Sequence, residues 1–183
     1  LLLRTFSELR RVDPGFETER LLVVSVDPSL SGYDQPRLQA FTNQLQERLA
    51  GLPGVRSATP SENTVLTNSS WRRTVKVDGY TKKDGEDMSP DSYGVGPGYV
   101  ETLGIPLLAG RGFSPADAAS APRVAMVNET FARYFFGKES PIGRRFGFAR
   151  DKDMDIEIVG LVKDGKIRNL RAEIPRVVYV PLA

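Results

Sequence analysis

The sequence predicts an α+β fold in two parts: a first subdomain built from both ends of the chain, and a second, mixed subdomain inserted between them. Three observations lead to this expectation. Residues 21–58 read as a strand, an amphipathic helix and a second strand. The middle is a series of short apolar segments separated by glycine and proline. The chain closes on two β-rich runs, 156–162 and 177–180. The expected divisions are 1–69 and 155–183 for the first subdomain, and 70–154 for the inserted one.

The elements follow in order. In the first eleven residues Leu2, Phe6 and Leu9 fall at helical spacing beside Arg4, Arg10 and Arg11. This fits either an ordinary amphipathic helix or the water-side end of a membrane helix whose arginines reach the headgroups. After Asp13-Pro14-Gly15, the run Leu21-Leu22-Val23-Val24-Ser25-Val26 is short, apolar and β-branched, as in a buried strand. Pro36 suits the first turn of a helix. Leu38, Phe41, Leu45, Leu49 and Leu52 make one apolar stripe along it, predicted to be buried, and Gly51 with Pro53-Gly54 ends it. Val55-Arg56-Ser57-Ala58 is expected to be the next strand, giving the opening of an α/β layer.

In the middle, Thr74-Val75-Lys76-Val77 alternates like a half-exposed strand, and residues 82–90 form a charged loop. A short helix is expected over 98–103. Val124-Ala125-Met126-Val127 reads as a buried strand running into a helix capped by Asn128, whose side-chain oxygen accepts an orphan N–H. Phe131, Tyr134 and Phe135 supply that helix's packing face and Gly137 closes it.

Composition excludes whole classes of chemistry. The 183 residues contain no cysteine and no histidine. Disulfides, thiolate nucleophiles and Cys-based zinc sites are therefore excluded, and so is any Ser-His-Asp arrangement within this chain. Twenty-five basic against 23 acidic side chains, dispersed along the chain, give no footprint for nucleic acid. No window approaches the roughly 20 apolar residues of a membrane helix.

Several motifs that suggest chemistry fail on inspection. Gly94-Val95-Gly96-Pro97-Gly98 places its third glycine one residue early for a dinucleotide fingerprint, and Pro97 has no N–H for a phosphate. Asp151-Lys152-Asp153-Met154-Asp155 begins like a calcium loop, but Ile156 stands at the glycine position and Val162 at the bidentate glutamate position. Asp164 and Glu173 are a carboxylate pair with no spacing that fixes their separation. Arg111, Arg144 and Arg145 beside glycine turns are expected to bond local carbonyls or carboxylates. Asn68 and Asn128 head sequons that matter only in a eukaryotic secretory pathway. No catalytic, cofactor-binding or metal-ligating residue is assigned.

Taken in order, these blocks resemble the periplasmic core domain of MacB-like (FtsX/MacB-type) ABC transporter permeases. The resemblance is carried by Leu2-Leu3-Arg4 with Val12-Asp13-Pro14-Gly15-Phe16, by Leu49-Ala50-Gly51-Leu52-Pro53-Gly54-Val55, and by Gly98-Tyr99-Val100-Glu101-Thr102-Leu103-Gly104-Ile105-Pro106. It continues through Ala109-Gly110-Arg111-Gly112-Phe113, Pro141-Ile142-Gly143-Arg144-Arg145-Phe146, and Glu157-Ile158-Val159-Gly160-Leu161-Val162-Lys163-Asp164. The opening block and Val26-Asp27-Pro28-Ser29-Leu30 look closest to duplicated permeases abundant in acidobacteria.

The resemblance implies a porter-like α/β subdomain formed from both chain ends, with 1–11 as the end of a membrane-proximal helix. It also implies a bacterial inner-membrane protein whose present segment lies in the periplasm. Such a domain is non-catalytic: a separate cytoplasmic ATPase drives export, and the periplasmic part transmits motion and docks partners or substrate. Implied partners are that ATPase through the membrane helices, a second permease half or homodimer mate, and in some members a membrane-fusion protein. An alternative expectation is a ligand-binding module using the cleft between the two subdomains. The inserted-subdomain layout and the permease reading together place the backbone near Arg20 and near Pro181 at one end of the molecule, with the inserted middle, including 82–90, projecting away from it.

Overall fold

The computed structural model describes residues 12–28, 32–118 and 122–182. The helix expected within residues 1–11 lies outside the described residues. The elements are α1 (Gln35–Ala50), β1 (Trp71–Arg72), β2 (Val75–Val77), β3 (Asp91–Val95), α2 (Tyr99–Thr102) and β4 (Leu107–Gly110). A 3₁₀ turn (Pro115–Ala118), β5 (Val124–Asn128), α3 (Glu129–Phe136), β6 (Arg145–Phe148), β7 (Ile156–Val162) and β8 (Val177–Pro181) follow.

Among the described residues all eight strands belong to one mixed sheet, with the order β1-β3-β8-β5-β7-β6-β2 and β4 paired to β7 off that path. The pairs β3·β8 and β5·β7 are parallel and the rest antiparallel. Connectivity forces the sheet to curl. Its two end strands, β1 and β2, are separated only by Arg73 and Thr74. Six inter-strand gaps laid flat would set them about 29 Å apart, whereas a two-residue link spans roughly 10 Å. The rim closes through side chains, with the Trp71 and Phe148 rings 5.6 Å apart.

Alternation along the central strands feeds two cores. Val124 and Met126 of β5 face one, with Tyr93, Val95, Tyr99, Val100, Val177 and Tyr179. Ala125 and Val127 face the other, with Phe131, Phe135, Phe146, Phe148, Ile156 and Ile158. A register shift between β5 and β7, where Ala125 pairs with Ile158 and Met126 with Gly160, leaves Val159 as the extra residue. Beyond it β7 changes face, so Val162 joins the first core while Ile156 and Ile158 serve the second.

Several expectations hold at the level of elements: the strands at 75–77, 124–128, 156–162 and 177–181, and the helices at 99–102 and 129–136. Gly137 ends α3 at φ 63°. Others are corrected. Residues 21–26 and 55–58 form no strand, because no strand among the described residues pairs with them. The grouping of 155–183 with 1–69 is not the grouping of the sheet: β7 lies between β5 and β6, and β8 between β3 and β5. The last strand pair is thus the centre of the part expected to be inserted. Parallel pairing with β5 and β3 buries those strands on both faces, which a separate small layer would not do.

Candidate functional site

The N-terminal unit is where sequence and structure part most clearly. Asp34 caps α1 by accepting from the Arg37 N–H at 3.0 Å, and Pro36 occupies the first turn. The Gly51 N–H returns to the Glu47 carbonyl at 3.1 Å. The helix forms on these local signals. Leu38, Phe41, Leu45 and Leu49 do share a face, but all four are only half-buried, contrary to the expectation that they are core. Tyr33 packs edge-on against Phe41, with the Arg37 guanidinium 4.4 Å from the Tyr33 ring centre. Gln46 Nε2 donates to the Ala58 carbonyl at 2.8 Å, tying the helix to the chain that follows it. Ahead of it, residues 21–27 carry no regular secondary structure, with Leu22 85% exposed and Val24 65% exposed. The β-branched segment and the half-covered apolar stripe are each exposed apolar surface of the kind that packs against something else.

A second polar centre joins three elements of the sheet. Asn128 is buried at the end of β5. Its Oδ1 accepts from the Phe131 N–H at 3.0 Å, capping α3, and from the Val177 N–H at 2.9 Å. Its Nδ2 donates to Asp164 Oδ1 at 2.6 Å and to the Pro175 carbonyl at 2.9 Å. Asp164 also accepts from the Thr130 N–H and Oγ1, at 2.9 and 2.7 Å. The Asp164 N–H in turn donates to Glu129 Oε2 at 2.9 Å. Donors and acceptors are matched within the cluster, which makes it a fastening of β5, α3, β7 and β8 rather than a reactive centre.

A third cluster fixes the charged loop. Glu86 accepts from the hydroxyls of Tyr80 and Tyr134 and from the Lys83 N–H. These bonds, the Tyr134 hydroxyl's first, hold the Glu86 carboxyl down at about 2. The hydrogen bond to Glu86 pushes Tyr80 up to about 12. Met88 beside it is buried in the second core.

The rejected motifs resolve as local structure. A Cβ on Gly94 would lie 2.5 Å from Glu62 Oε2, and one on Gly96 2.5 Å from Pro60 Cδ, so these glycines admit the 60–62 segment across β3. Asp151 and Asp155 share Arg123, at 2.8 and 3.0 Å, and that guanidinium holds the Asp151 carboxyl below its ordinary value. Arg111 grips Asp117 with both terminal nitrogens, at 2.7 and 2.9 Å. Arg144 pairs with Glu139, and Arg145 lies 3.7 Å from Glu157. Asn68 Oδ1 accepts from Arg168 Nε at 3.0 Å. Asp164 enters the Asn128 cluster, while Glu173 is exposed. The roles of Asp164, Glu86 and the tyrosines were missed, because their partners lie up to 48 residues away. The cap signal of Asn128 was the one local clue.

Among the described residues no helix is long and apolar enough to cross a membrane, and no group of His, Cys, Asp or Glu is placed to hold a metal ion. The profile of the MacB-like periplasmic core domain matches residues 5–183. The fold is similar to the crystal structure of the periplasmic region of MacB from Actinobacillus actinomycetemcomitans, at 20% identity and TM-score 0.53, covering 76% of this chain and 54% of that one. A domain of a putative permease from Porphyromonas gingivalis is similar at 21% identity and TM-score 0.50, covering 77% and 55%. The extracellular domain of the noncanonic ABC-type transporter YknZ from Gram-positive bacteria matches at 23% identity and TM-score 0.49, covering 81% and 68%. The chain thus spans about half the length of the MacB region and of the Porphyromonas domain. Among curated proteins none matches in sequence.

Proposed function

Because the chain belongs to the MacB-like periplasmic core domain family, we propose that it transmits ATP-driven motion and offers a docking surface in the periplasm while carrying no catalytic site of its own. It is the periplasmic domain of a MacB-like ABC transporter permease. In this reading a cytoplasmic ATPase works on the membrane helices, a second permease half or homodimer mate completes the machine, and the domain moves as a lever during export. A membrane-fusion protein is a further partner at the surface away from the membrane.

The observation that carries the lever role is the fastening of a single curled sheet by the Asn128–Asp164 cluster. Force applied at one strand is shared by β5, α3, β7 and β8 instead of being lost in a hinge. The unit at 21–58 supports the docking role: it is the first half of a porter-like layer whose apolar stripe is completed by other parts of the permease. The test uses the full permease with its ATPase in lipid, spin-labelled at exposed Lys82 of each permease half. Interlabel distances that change between nucleotide-free and ATP-bound states are expected. Identical distance distributions in both states would overturn the lever.

A further inference from the structure

Residues 13–17 meet two segments that lie far away in the chain. The Gly15 N–H donates to Asp13 Oδ1 at 2.8 Å, which fixes a sharp turn at Pro14-Gly15. The Lys166 N–H donates to the Pro14 carbonyl at 2.7 Å, and the Glu17 N–H donates to the Leu103 carbonyl, just after α2, at the same distance. The Lys163 N–H closes the ring by donating to the Pro106 carbonyl at 2.9 Å. Residues 13–17, 103–106 and 163–166 are thus bonded to one another through their backbones.

The approach at Gly15 leaves no room for a side chain. Gly15 has φ 80°, and a Cβ there would lie 2.7 Å from the Asp164 carbonyl oxygen and 2.8 Å from the Gly165 Cα. Glycine alone satisfies both the left-handed backbone and the close approach. A Cβ on Gly165 would meet the Pro14 carbonyl oxygen from the other side, at 3.1 Å. Phe16, 7% exposed, belongs to the first core with Leu103, Ile105 and Ile167. Asp164, whose backbone Gly15 packs against, is also the residue whose carboxylate holds Asn128 and Thr130. Two contacts therefore lead from Gly15 to the junction of β5, α3 and β8: Gly15 on the Asp164 backbone, and the Asp164 carboxylate on Asn128.

We propose that Pro14-Gly15-Phe16 is the joint through which movement of the preceding membrane-proximal segment enters the sheet. This deepens the lever reading and rests on it, with residues 1–11 as the end of a membrane-proximal helix. Within residues 13–17 the chain is bonded to two other segments and buries an aromatic ring. Displacement of the segment before them is passed to 163–166 instead of being taken up by a swinging loop. Asp164 hands it to Asn128, which holds β5, α3 and β8 together. Coupling between distant sites is carried by such contiguous packed and hydrogen-bonded groups. Gly15 and Phe16 are positioning residues and take no part in ATP hydrolysis.

The test uses the full permease with its ATPase in lipid, spin-labelled at Lys82 of each half, with hydrolysis and thermal midpoint read for every variant. Gly15→Ala pushes residues 14–16 off the 163–166 segment. Gly147→Ala is the control: its Cβ would lie 2.4 Å from the Asp153 carbonyl oxygen, a comparable overlap on β6, away from the joint. The unsubstituted permease is expected to change its interlabel distance between nucleotide-free and ATP-bound states. In Gly15→Ala that change is largely lost while ATP hydrolysis continues, and in Gly147→Ala it remains. If Gly15→Ala does not fold, Gly165→Ala takes its place, with a milder approach of 3.1 Å and a partial loss expected. A distance change of unaltered size in the folded joint variant would overturn the joint and leave the lever standing. Equal loss in Gly147→Ala would also defeat it, because lowered stability alone would then account for the effect. Hydrolysis lost together with the motion would place Gly15 in the motor instead of the joint. Identical distances in the unsubstituted permease would overturn the lever itself, and the joint with it.

Discussion

Asn128 donates from Nδ2 to Asp164 Oδ1 at 2.6 Å, joining the end of β5 to the segment after β7 across 36 residues. Around that bond the amide saturates both of its ends, capping α3 and holding the first N–H of β8. Removing it takes away a helix cap and leaves buried partners unpaired. Asn128→Ala is therefore expected to lower stability by about 2–4 kcal/mol in chemical denaturation. Asn128→Asp keeps the acceptor but turns a second carboxylate towards Asp164 and the Pro175 carbonyl, so it should not rescue. A midpoint unmoved by either change would refute the fastening role.

Gly110 tests the close crossing of β4 and β7. It sits at φ 75°, and a Cβ there would lie 2.1 Å from the Val159 carbonyl oxygen. Gly143 has a similar φ of 80° but open space around it. Gly110→Ala is expected to cost about 2–4 kcal/mol, strain and overlap together. Gly143→Ala should cost only about 1–2 kcal/mol of backbone strain. Equal costs in paired urea denaturation curves would show that the overlap is relieved by movement of β4.

Acid should loosen the loop held by Glu86. Its carboxyl lies at about 2 in the folded chain against an ordinary 4.5, chiefly through the Tyr134 and Tyr80 hydroxyls. A depressed value means that the contribution is complete above the ordinary value and is lost as pH falls towards 2. Amide exchange in residues 82–90, corrected for its intrinsic pH dependence, is expected to lose protection across that window. Glu86→Gln should abolish the step. Tyr80, raised to about 12, has the opposite sign: its contribution is complete below 10 and disappears as pH rises through 12. An acid step retained in the glutamine variant would assign the loosening to another carboxylate.

Two core truncations separate the sheet from the N-terminal unit. Phe131 has no exposed surface and packs on Phe135 and Phe146, so Phe131→Ala should cost about 3–5 kcal/mol. Leu45 is half-buried on α1. Leu45→Ala in this chain should cost under about 2 kcal/mol, less than a buried leucine would. The same change in the full permease should cost more, if the porter-like layer is completed there. Equal costs in the two settings would remove that completion.

The sequence by itself determined the elements whose signals are local. The Asn128 cap, Gly137, and the apolar, β-rich runs 156–162 and 177–180 each act through neighbours a few residues away, so pattern and propensity sufficed. The ordered blocks also carried the family, matched over residues 5–183. Tertiary structure decided which strands share a sheet. Residues 21–26 and 156–162 are both apolar and β-branched, yet only the second finds partners, because a strand needs an edge to bond and sequence names no edge. The same reason explains α1, a sound helix by its caps whose stripe stays half-covered for want of a facing layer. It explains as well why Arg72, Arg168 and Arg176, dispersed in the chain, line one pocket: β3 pairs with β1 on one side and with β8 on the other.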